Sequence, residues 1–189
     1  MIFKWVNYSS KYETEIASWT DDENTRRYAA FDESIRERYE YYVRVCGDYD
    51  EPYSCKVVLD GDIVAASLFI SKNNTYPHQI TLNRINLIIV NPKLRSKGYG
   101  TKIIRELVDD SSVIPEIAQS GGSAFSGSVD LQNTASMKVL EKSGFALAGV
   151  NTQDEFSHWI YPPTEADNFR KYVAGNQGED FIAVSALDN

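Results

Sequence analysis

The sequence is poor in the residues that build metal centres and disulfide frameworks. Its 189 residues include two cysteines, Cys46 and Cys55, and two histidines, His78 and His158. Two thiols without a CxxC spacing indicate small buried side chains and do not make a disulfide framework. Two isolated histidines without an HExxH spacing do not indicate a metal site. We therefore expect a protein without a bound metal.

Long apolar runs are missing as well. No stretch approaches the roughly 18 apolar residues that a membrane-spanning helix needs. The first ten residues, MIFKWVNYSS, lack the apolar core of a signal peptide. These features predict a cytoplasmic protein that does not use a membrane as a partner.

Positive charge is the third scarce feature. The chain has 19 lysines and arginines against 27 aspartates and glutamates, and a formal net charge of −8. Nucleic acid is not expected as a partner, because phosphate contacts require a basic surface. A cationic substrate fits this charge, although acidity also serves solubility alone.

The apolar pattern of the first half predicts one strand, then helices, then three strands. MIFKWVNY is typical of a strand, and residues 10–46 carry the signals of two or three short helices. Strand-like runs flank Asp60-Gly61, which indicates a hairpin. After the loop NNTYP, one long strand ends in INLIIV, with a possible bulge over Asn83–Asn86.

The second half predicts two helices, a strand and a final hairpin. SAFSGSV is strand-like, and NTASMKVLEKSGF reads as a helix opened by Asn133 or Thr134 and ended by Gly144. ALAGV and FSHWIY suit a hairpin. The element order is that of an α+β, or mixed α/β, domain over 1–162, followed by a helix and tail over 163–189 that packs on the same domain.

The segment VNPKLRSKGYGTKII, residues 90–104, joins a strand to a helix through two glycines and two basic residues. It lacks GxxxxGK[ST], and after Gly98-Tyr99-Gly100 it also fails GxGxxG, so neither nucleotide-binding motif is present. Glycine lets the backbone approach a ligand, and a helix N-terminus attracts anions. The segment therefore suits a diphosphate, although a plain basic surface turn fits it too.

Two motifs together resemble the GNAT superfamily, the acyl-CoA-dependent N-acetyltransferases. The family pattern V-x-P-x-x-[RQ]-x-x-G-x-[GA] is matched by Val90, Pro92, Arg95, Gly98 and Gly100. The later pattern V-x-x-x-N-x-x-A…G-F is matched, with serine for alanine, by Val129, Asn133, Ser136, Gly144 and Phe145. The resemblance implies a mostly antiparallel, twisted sheet of six or seven strands, splayed between strands 4 and 5 and flanked by about four helices.

The resemblance also implies that acetyl-CoA is the acyl donor. In this family the diphosphate of coenzyme A lies on the backbone N–H groups of the loop. The loop residues that the resemblance assigns to this role are Arg95, Ser96, Lys97, Gly98, Tyr99, Gly100 and Thr101.

The pantetheine arm is expected to enter between strands 4 and 5. Its amides would pair with the backbone of Ile88 and Val90, and the N–H of Ile88 or Ile89 would polarise the thioester carbonyl. Asn133 and Ser136 match the family's second contact with the arm. Asn133 can serve as an N-cap at the same time.

The usual acid and base of the family are absent. Strand 4 commonly carries glutamate or histidine where this chain has Arg84 and Asn86, and the usual tyrosine acid is replaced by Leu140. Asn86 can still orient a water that removes the proton of the amine. Asp130 is a candidate base, or a solvated loop carboxylate. Orientation of the two reactants alone can accelerate the reaction.

The acceptor is expected to be a primary amine: a small cationic amine, an aminoglycoside-like compound or a peptide N-terminus. Family members place it against the first helices and the final hairpin, here about 18–42 and 150–162. Trp19, Tyr28 and Trp159 lie there among carboxylates, a combination that suits an ammonium group. Acidic residues at helix starts explain the same pattern without a ligand.

Three functions remain open from the sequence. The first is an N-acetyltransferase, acting as a monomer or homodimer. The second is an acyl-CoA-binding sensor or interaction module with little or no transfer activity, which the missing acid and base motivate. The third is a nucleotide-binding protein that uses the same loop, against which the missing nucleotide motifs count.

Overall fold

The computed structural model of the protein describes residues 3–19, 41, 53–75, 81–119, 124–175 and 181–183. Within these residues, one sheet of eight strands carries five α-helices. The strands are β1 (Lys4–Asn7), β2 (Tyr53–Asp60), β3 (Ile63–Thr75), β4 (Thr81–Val90), β5 (Phe125–Asp130), β6 (Ala146–Asn151), β7 (Phe156–Tyr161) and β8 (Phe181–Ala183). The helices are α1 (Glu13–Ser18), α2 (Tyr99–Asp109), α3 (Pro115–Gln119), α4 (Thr134–Lys142) and α5 (Pro163–Gly175).

The strand order in the sheet is β1-β2-β3-β4-β5-β7-β6-β8. Among the described strands, β4 and β5 form the parallel pair, and every other neighbouring pair is antiparallel. The predicted α+β class with a mostly antiparallel sheet is confirmed. The short β8 extends the predicted six or seven strands to eight, and the five described helices agree with the expected number of about four.

Two local features of the first half follow the sequence closely. Gly61, with φ of 61°, begins the turn between β2 and β3, a backbone conformation that glycine adopts without steric cost. The register of β3 and β4 shifts between the pairs Phe69–Leu87 and Ile70–Ile85, which makes Asn86 the extra residue of a bulge. The predicted hairpin and bulge are confirmed. The predicted loop NNTYP is wrong at its start, because β3 continues to Thr75.

The sheet is covered on both faces. On one face, which we call the α2 face, buried side chains of α2 and α4 pack against strand residues such as Leu68, Phe125 and Trp159. The α2 side chains in this cluster are Ile103, Ile104, Leu107 and Val108. Their spacing of three and four residues places them on one side of the helix.

The opposite face, the α1 face, is covered near its two ends. Ile16 of α1 and Trp19 pack on β2, β3 and β4 around Phe69 and Ile89. Ala166 and Phe169 of α5 pack on Leu82, Ala148 and Ile160. The helix α5 therefore lies on β6 and β7, and β8 pairs with β6. The boundary between residues 162 and 163 stays a prediction.

Two predictions fall partly or wholly beyond the described residues. The helices predicted over 10–46 are represented by α1, and the rest of that range, including Tyr28 and Cys46, lies outside the described residues apart from position 41. Among the helices that the structure describes, none is long and apolar enough to cross a membrane.

Candidate active site

The parallel strands β4 and β5 are paired at one end only. Asn83 lies opposite Phe125 and Arg84 lies opposite Ser126, and no further pairs follow. Meanwhile β4 stays paired with β3 as far as Val90. We call the point beyond Arg84 and Ser126, where the two strands separate, the fork.

Beyond the fork, the backbone of β4 presents two residues to the gap. The N–H of Asn91 donates to the carbonyl of Ala65 on β3 at 2.9 Å. Backbone groups of successive strand residues point to opposite sides, so Ile89 also faces β3 while Ile88 and Val90 face the gap. Of the three predicted backbone positions, the structure therefore places Ile88 and Val90 towards β5 and turns Ile89 away.

The loop after β4 obtains its sharp turn from one of the two expected glycines and from a serine. Positive φ values occur at Ser96, 59°, and at Gly98, 80°. Ser96 carries a left-handed conformation that a serine rarely adopts. Gly100 has no positive φ, and a Cβ there would lie 3.3 Å from Cγ2 of Val139. Its missing side chain therefore permits close contact between α2 and α4.

The N-terminus of α2 is a group of N–H donors without a side-chain cap. Gly98 occupies the N-cap position, but glycine has no side chain that could accept a hydrogen bond from these N–H groups. The first bond of the helix runs from the N–H of Lys102 to the carbonyl of Gly98, at 3.0 Å. The N–H groups of Tyr99, Gly100 and Thr101 therefore have no carbonyl one turn before them, and the dipole of α2 adds positive potential.

Basic side chains surround this helix end. Lys93, Lys97 and Lys102 are exposed, and Arg95 is half-buried. The Nε of Arg95 donates to the carbonyl of Val90 at 3.1 Å, which ties the loop to the end of β4. In a chain of net charge −8, this cluster of cations favours an anionic ligand.

Tyr99 anchors the start of α2 to the neighbouring hairpin. Its hydroxyl donates to Oδ2 of Asp60 at 2.6 Å. This hydrogen bond to a carboxylate, together with burial and the negative charge of Asp60, raises the pKa of Tyr99 above its ordinary value. The phenol therefore acts as a neutral donor that fixes the loop.

The predicted second contact with the pantetheine arm begins α4. Oδ1 of Asn133 accepts from the N–H of Ser136 at 3.0 Å, so the predicted N-cap is confirmed. The helix ends before Gly144, which has the expected left-handed conformation with φ of 90°. Because α2 and α4 pack together at Gly100, the N-cap of α4 belongs to the same side of the sheet as the loop.

Comparison with known protein families agrees with this geometry. A family model described as an acetyltransferase (GNAT) domain matches residues 8–146. The chain belongs to the GNAT acetyltransferase family. The family predicted from the two motifs, and with it the class of enzyme, is confirmed. A search among curated proteins gives no significant match.

Solved structures share the GNAT fold at low sequence identity. Aminoglycoside acetyltransferase AAC(6')-Ib, in complex with coenzyme A and kanamycin, is 15% identical, with a TM-score of 0.63 over 89% of this chain and 99% of that one. An aminoglycoside N(6')-acetyltransferase from Legionella pneumophila is 11% identical, with a TM-score of 0.67 over 90% and 95%. Spermidine N-acetyltransferase from Vibrio cholerae, in complex with CoA and spermine, is 13% identical, with a TM-score of 0.62 over 88% and 98%.

This GNAT domain uses Leu140 for packing. The side chain is 7% exposed and lies in the core of the α2 face. Its Cδ1 would be 3.4 Å from a Cβ added at Gly127 of β5. The position that the resemblance to the family associates with a tyrosine acid therefore carries no proton donor in this protein.

The predicted catalytic residues, Asn86 as a water-orienting group and Asp130 as a base, are both held by hydrogen bonds within the protein. The Nδ2 of Asn86 donates to Oγ of Ser71 and, at 3.3 Å, to the carbonyl of Arg84. Oδ1 of Asp130 accepts from the N–H of Gln132 at 2.7 Å in the turn that leads to α4. Both contacts are structural, and catalytic roles for these residues stay predictions.

The predicted acceptor residues are not brought together in the described residues. Trp19 is 4% exposed in the cluster beneath α1. Trp159 is 9% exposed in the core of the α2 face, and its indole N–H donates to Oγ of Ser157 at 3.0 Å. Both tryptophans are thus core residues, which favours a structural role. Tyr28 lies outside the described residues.

The fork of this GNAT domain also carries a polar cluster that the sequence motifs did not predict. Oγ of Ser128 on β5 lies 3.0 Å from Nδ1 of His158 on β7 and 3.4 Å from Nη2 of Arg84 on β4. Burial and the positive charge of Arg84 lower the pKa of His158, against an opposing effect of Asp154. The three residues are far apart in sequence, so no local motif indicates the cluster.

Proposed function

We propose that this GNAT domain transfers an acetyl group from acetyl-CoA to a primary amine by direct attack on the thioester. The observation that carries the proposal is the N-terminus of α2, which has no side-chain cap, beside the gap between β4 and β5. The N-terminus of α2 provides N–H donors for a diphosphate, and the gap between β4 and β5 provides strand backbone for an extended amide chain.

Residues of the loop, of β4 and of the N-cap of α4 divide the binding of acetyl-CoA between them. The N–H groups at the start of α2, from Gly98 to Thr101, hold the diphosphate, and Arg95 and Lys97 add charge. Ile88 and Val90 pair with the pantetheine amides, and Asn133 contacts the arm from the N-cap of α4. Since the N–H of Ile88 faces the gap, we assign it the role of stabilising the oxyanion on the thioester carbonyl.

The acceptor is a primary amine that approaches from the α1 face. Two features support this side: α2 and α4 cover the other face, and the polar groups at the fork lie on this one. The neighbouring structures with kanamycin and spermine make polyamines and aminoglycosides the first compounds to test. A peptide with a free N-terminus completes the panel.

Calorimetric titration tests the coenzyme and a thiol-release assay tests the transfer. We expect acetyl-CoA to bind with micromolar affinity and ATP not to bind, because the loop lacks the motifs that hold nucleotide triphosphates. Free thiol should then appear with at least one amine of the panel. Failure of acetyl-CoA to bind would contradict the proposal at its first step.

An acyl-CoA-binding sensor is the second candidate, and the buried Leu140 favours it. A GNAT domain without the tyrosine acid can bind the coenzyme and transfer slowly or not at all. The same two measurements separate the candidates. Binding of acetyl-CoA without thiol release across the panel identifies a sensor, whereas amine-dependent thiol release identifies the transferase.

A further inference from the structure

The polar cluster lies where the reaction would take place. Ser126 is the last residue of β5 that pairs with β4, and Ser128 lies two residues further along the strand. Ser128 is also directly opposite His158 in the antiparallel ladder of β5 and β7. Ser128 is therefore next to the fork, on the strand that forms the second wall of the gap, and His158 lies beside it on β7.

All three side chains of the cluster point to the α1 face. Phe125 and Val129 of β5 belong to the core of the α2 face, as does Trp159 of β7. Side chains alternate along a strand, so Ser128 and His158 point the other way. The contact between Arg84 and Ser128 places Arg84 on the same side.

The direction of the hydrogen bonds follows from the chemistry of the three groups. A guanidinium donates only, so Oγ of Ser128 accepts from Arg84. The hydroxyl proton of Ser128 is then directed to Nδ1 of His158 at 3.0 Å. This arrangement requires the neutral imidazole with its proton on Nε2. It leaves a lone pair of the Ser128 oxygen for another donor.

A second observation at the fork indicates a missing polar partner. Ser126 lies on the same face as Ser128 and is 5% exposed. Its Oγ is the buried side-chain polar atom that, among the described residues, has no hydrogen-bond partner. A buried hydroxyl without a partner costs free energy, and such groups are found where a ligand or water completes the site.

We propose that Ser128 and His158 form a proton relay that deprotonates the amine acceptor of the acetyl transfer, an inference that rests on the function proposed above. The acceptor ammonium gives a proton to Oγ of Ser128 while Ser128 gives its own proton to Nδ1 of His158. Ser128 touches the substrate, and His158 acts through it.

The remaining steps balance without a further reactant. The neutral amine forms the N–C bond to the acetyl carbon, and the C–S bond breaks with its electron pair on sulfur. The nitrogen loses a second proton, which the thiolate takes up. The imidazolium of His158 returns its proton to solvent, so that the net products are the amide, the free thiol and one proton.

The charges around His158 suit a proton acceptor. Two charged groups that act on it are Arg84 from β4 and Asp154 from the turn between β6 and β7. Burial and the charge of Arg84 lower the pKa of His158 and favour the neutral imidazole, whereas Asp154 stabilises the imidazolium once it forms. Asp154 is itself held by Nδ2 of Asn151 at 2.8 Å.

The test is the pH dependence of transfer in His158→Asn and Ser128→Ala. Asparagine keeps a polar atom near the position of Nδ1 and does not titrate. Spermine, kanamycin and a peptide with a free N-terminus serve as acceptors, with thiol release as the readout. His78→Gln, which removes the other histidine of the chain, is the control.

We expect kcat/KM of His158→Asn to fall roughly 100-fold near neutral pH, the effect typical of losing a general base. The wild-type profile should level off above the pKa of His158. The profile of the variant should keep rising until the acceptor ammonium itself loses its proton, at roughly pH 8 to 10. Ser128→Ala should give the same profile, and the double variant should lose no more than either single one.

The outcomes separate the relay from the proposed function. If the wild type acetylates an acceptor and His158→Asn keeps both its rate and its profile, the relay is wrong and the transferase stands. If the wild type acetylates none of the three, the proposed function fails and the relay falls with it. Equal rate losses at every pH, with the wild-type profile retained, indicate a merely structural role and also overturn the relay.

Discussion

The two ends of the candidate active site are built in different ways. The end that we propose for the coenzyme, called the coenzyme end, consists of backbone N–H groups from one continuous segment, residues 95–101, at the start of α2. The fork end consists of side chains from three strands, Arg84, Ser128 and His158. A backbone site depends on local conformation, whereas a side-chain site depends on the register of the sheet. The two ends should therefore respond differently to substitution.

Gly98→Asp is expected to have the largest effect on the coenzyme end. The introduced carboxylate would lie at the N-terminus of α2, where it competes with the diphosphate for the N–H groups and repels it. We expect the affinity for acetyl-CoA to fall roughly 10- to 100-fold, about 1.4–2.8 kcal/mol. Calorimetry at low and high salt measures it, and added salt should reduce the loss.

Gly98→Asn is the matched control for that substitution. Asparagine has the same size as aspartate and tolerates the left-handed conformation at Gly98, where φ is 80° and a Cβ meets nothing within 4 Å. The difference between the two variants therefore isolates the charge. Equal affinities for acetyl-CoA in the two variants would show that the diphosphate does not bind at this helix end.

The contrast between local conformation and sheet register also explains which features could be predicted from the sequence. The turn at Gly61, the bulge at Asn86, the N-cap Asn133 and the left-handed Gly144 all follow from short-range chemistry, because glycine and asparagine have specific local conformations. These features, with the two motifs, were sufficient for the family and the class of fold. They also located the loop that begins α2.

The fork cluster could not be predicted in this way. Ser128 and His158 meet because β7, and not β6, lies beside β5 in the sheet. Strand order and register are tertiary properties that spacing in the sequence does not reveal. The sequence indicated Trp159 as an acceptor-binding residue, but Trp159 lies in the core of the α2 face. Its neighbour His158 points to the α1 face, since adjacent strand residues face opposite ways.

Two buried serines, Ser157 and Ser126, test the difference between a paired and an unpaired hydroxyl through the stability of the fold. Ser157 is 1% exposed; its Oγ donates to the carbonyl of Val129 at 2.9 Å and accepts from the indole of Trp159. Ser157→Ala leaves that indole N–H without its partner and should lower the free energy of unfolding by about 1–2 kcal/mol. Chemical denaturation of the wild type and the variant measures the difference.

Ser126→Ala is the counterpart of Ser157→Ala, and it is not expected to lower the free energy of unfolding. Its hydroxyl is buried without a partner, so replacement by alanine should leave the free energy of unfolding unchanged or raise it by up to about 1 kcal/mol. A gain in stability together with a loss of acceptor binding would show that the fork retains an unpaired hydroxyl for its ligand. Destabilisation equal to that of Ser157→Ala would mean that the hydroxyl has a partner in solution.

The smallest expected effect concerns the acid stability of the fork end. Folding lowers the pKa of His158 below its ordinary value of 6.5, so the unfolded chain binds this proton first as the pH falls. The wild type should therefore lose stability relative to His158→Asn from just below pH 6.5, until the pH passes the folded pKa. The backbone donors of α2 do not titrate and add nothing to this difference. Denaturation of both proteins over this range measures it, with His78→Gln as the reference, and a difference that is constant with pH would mean that folding leaves the pKa of His158 unchanged.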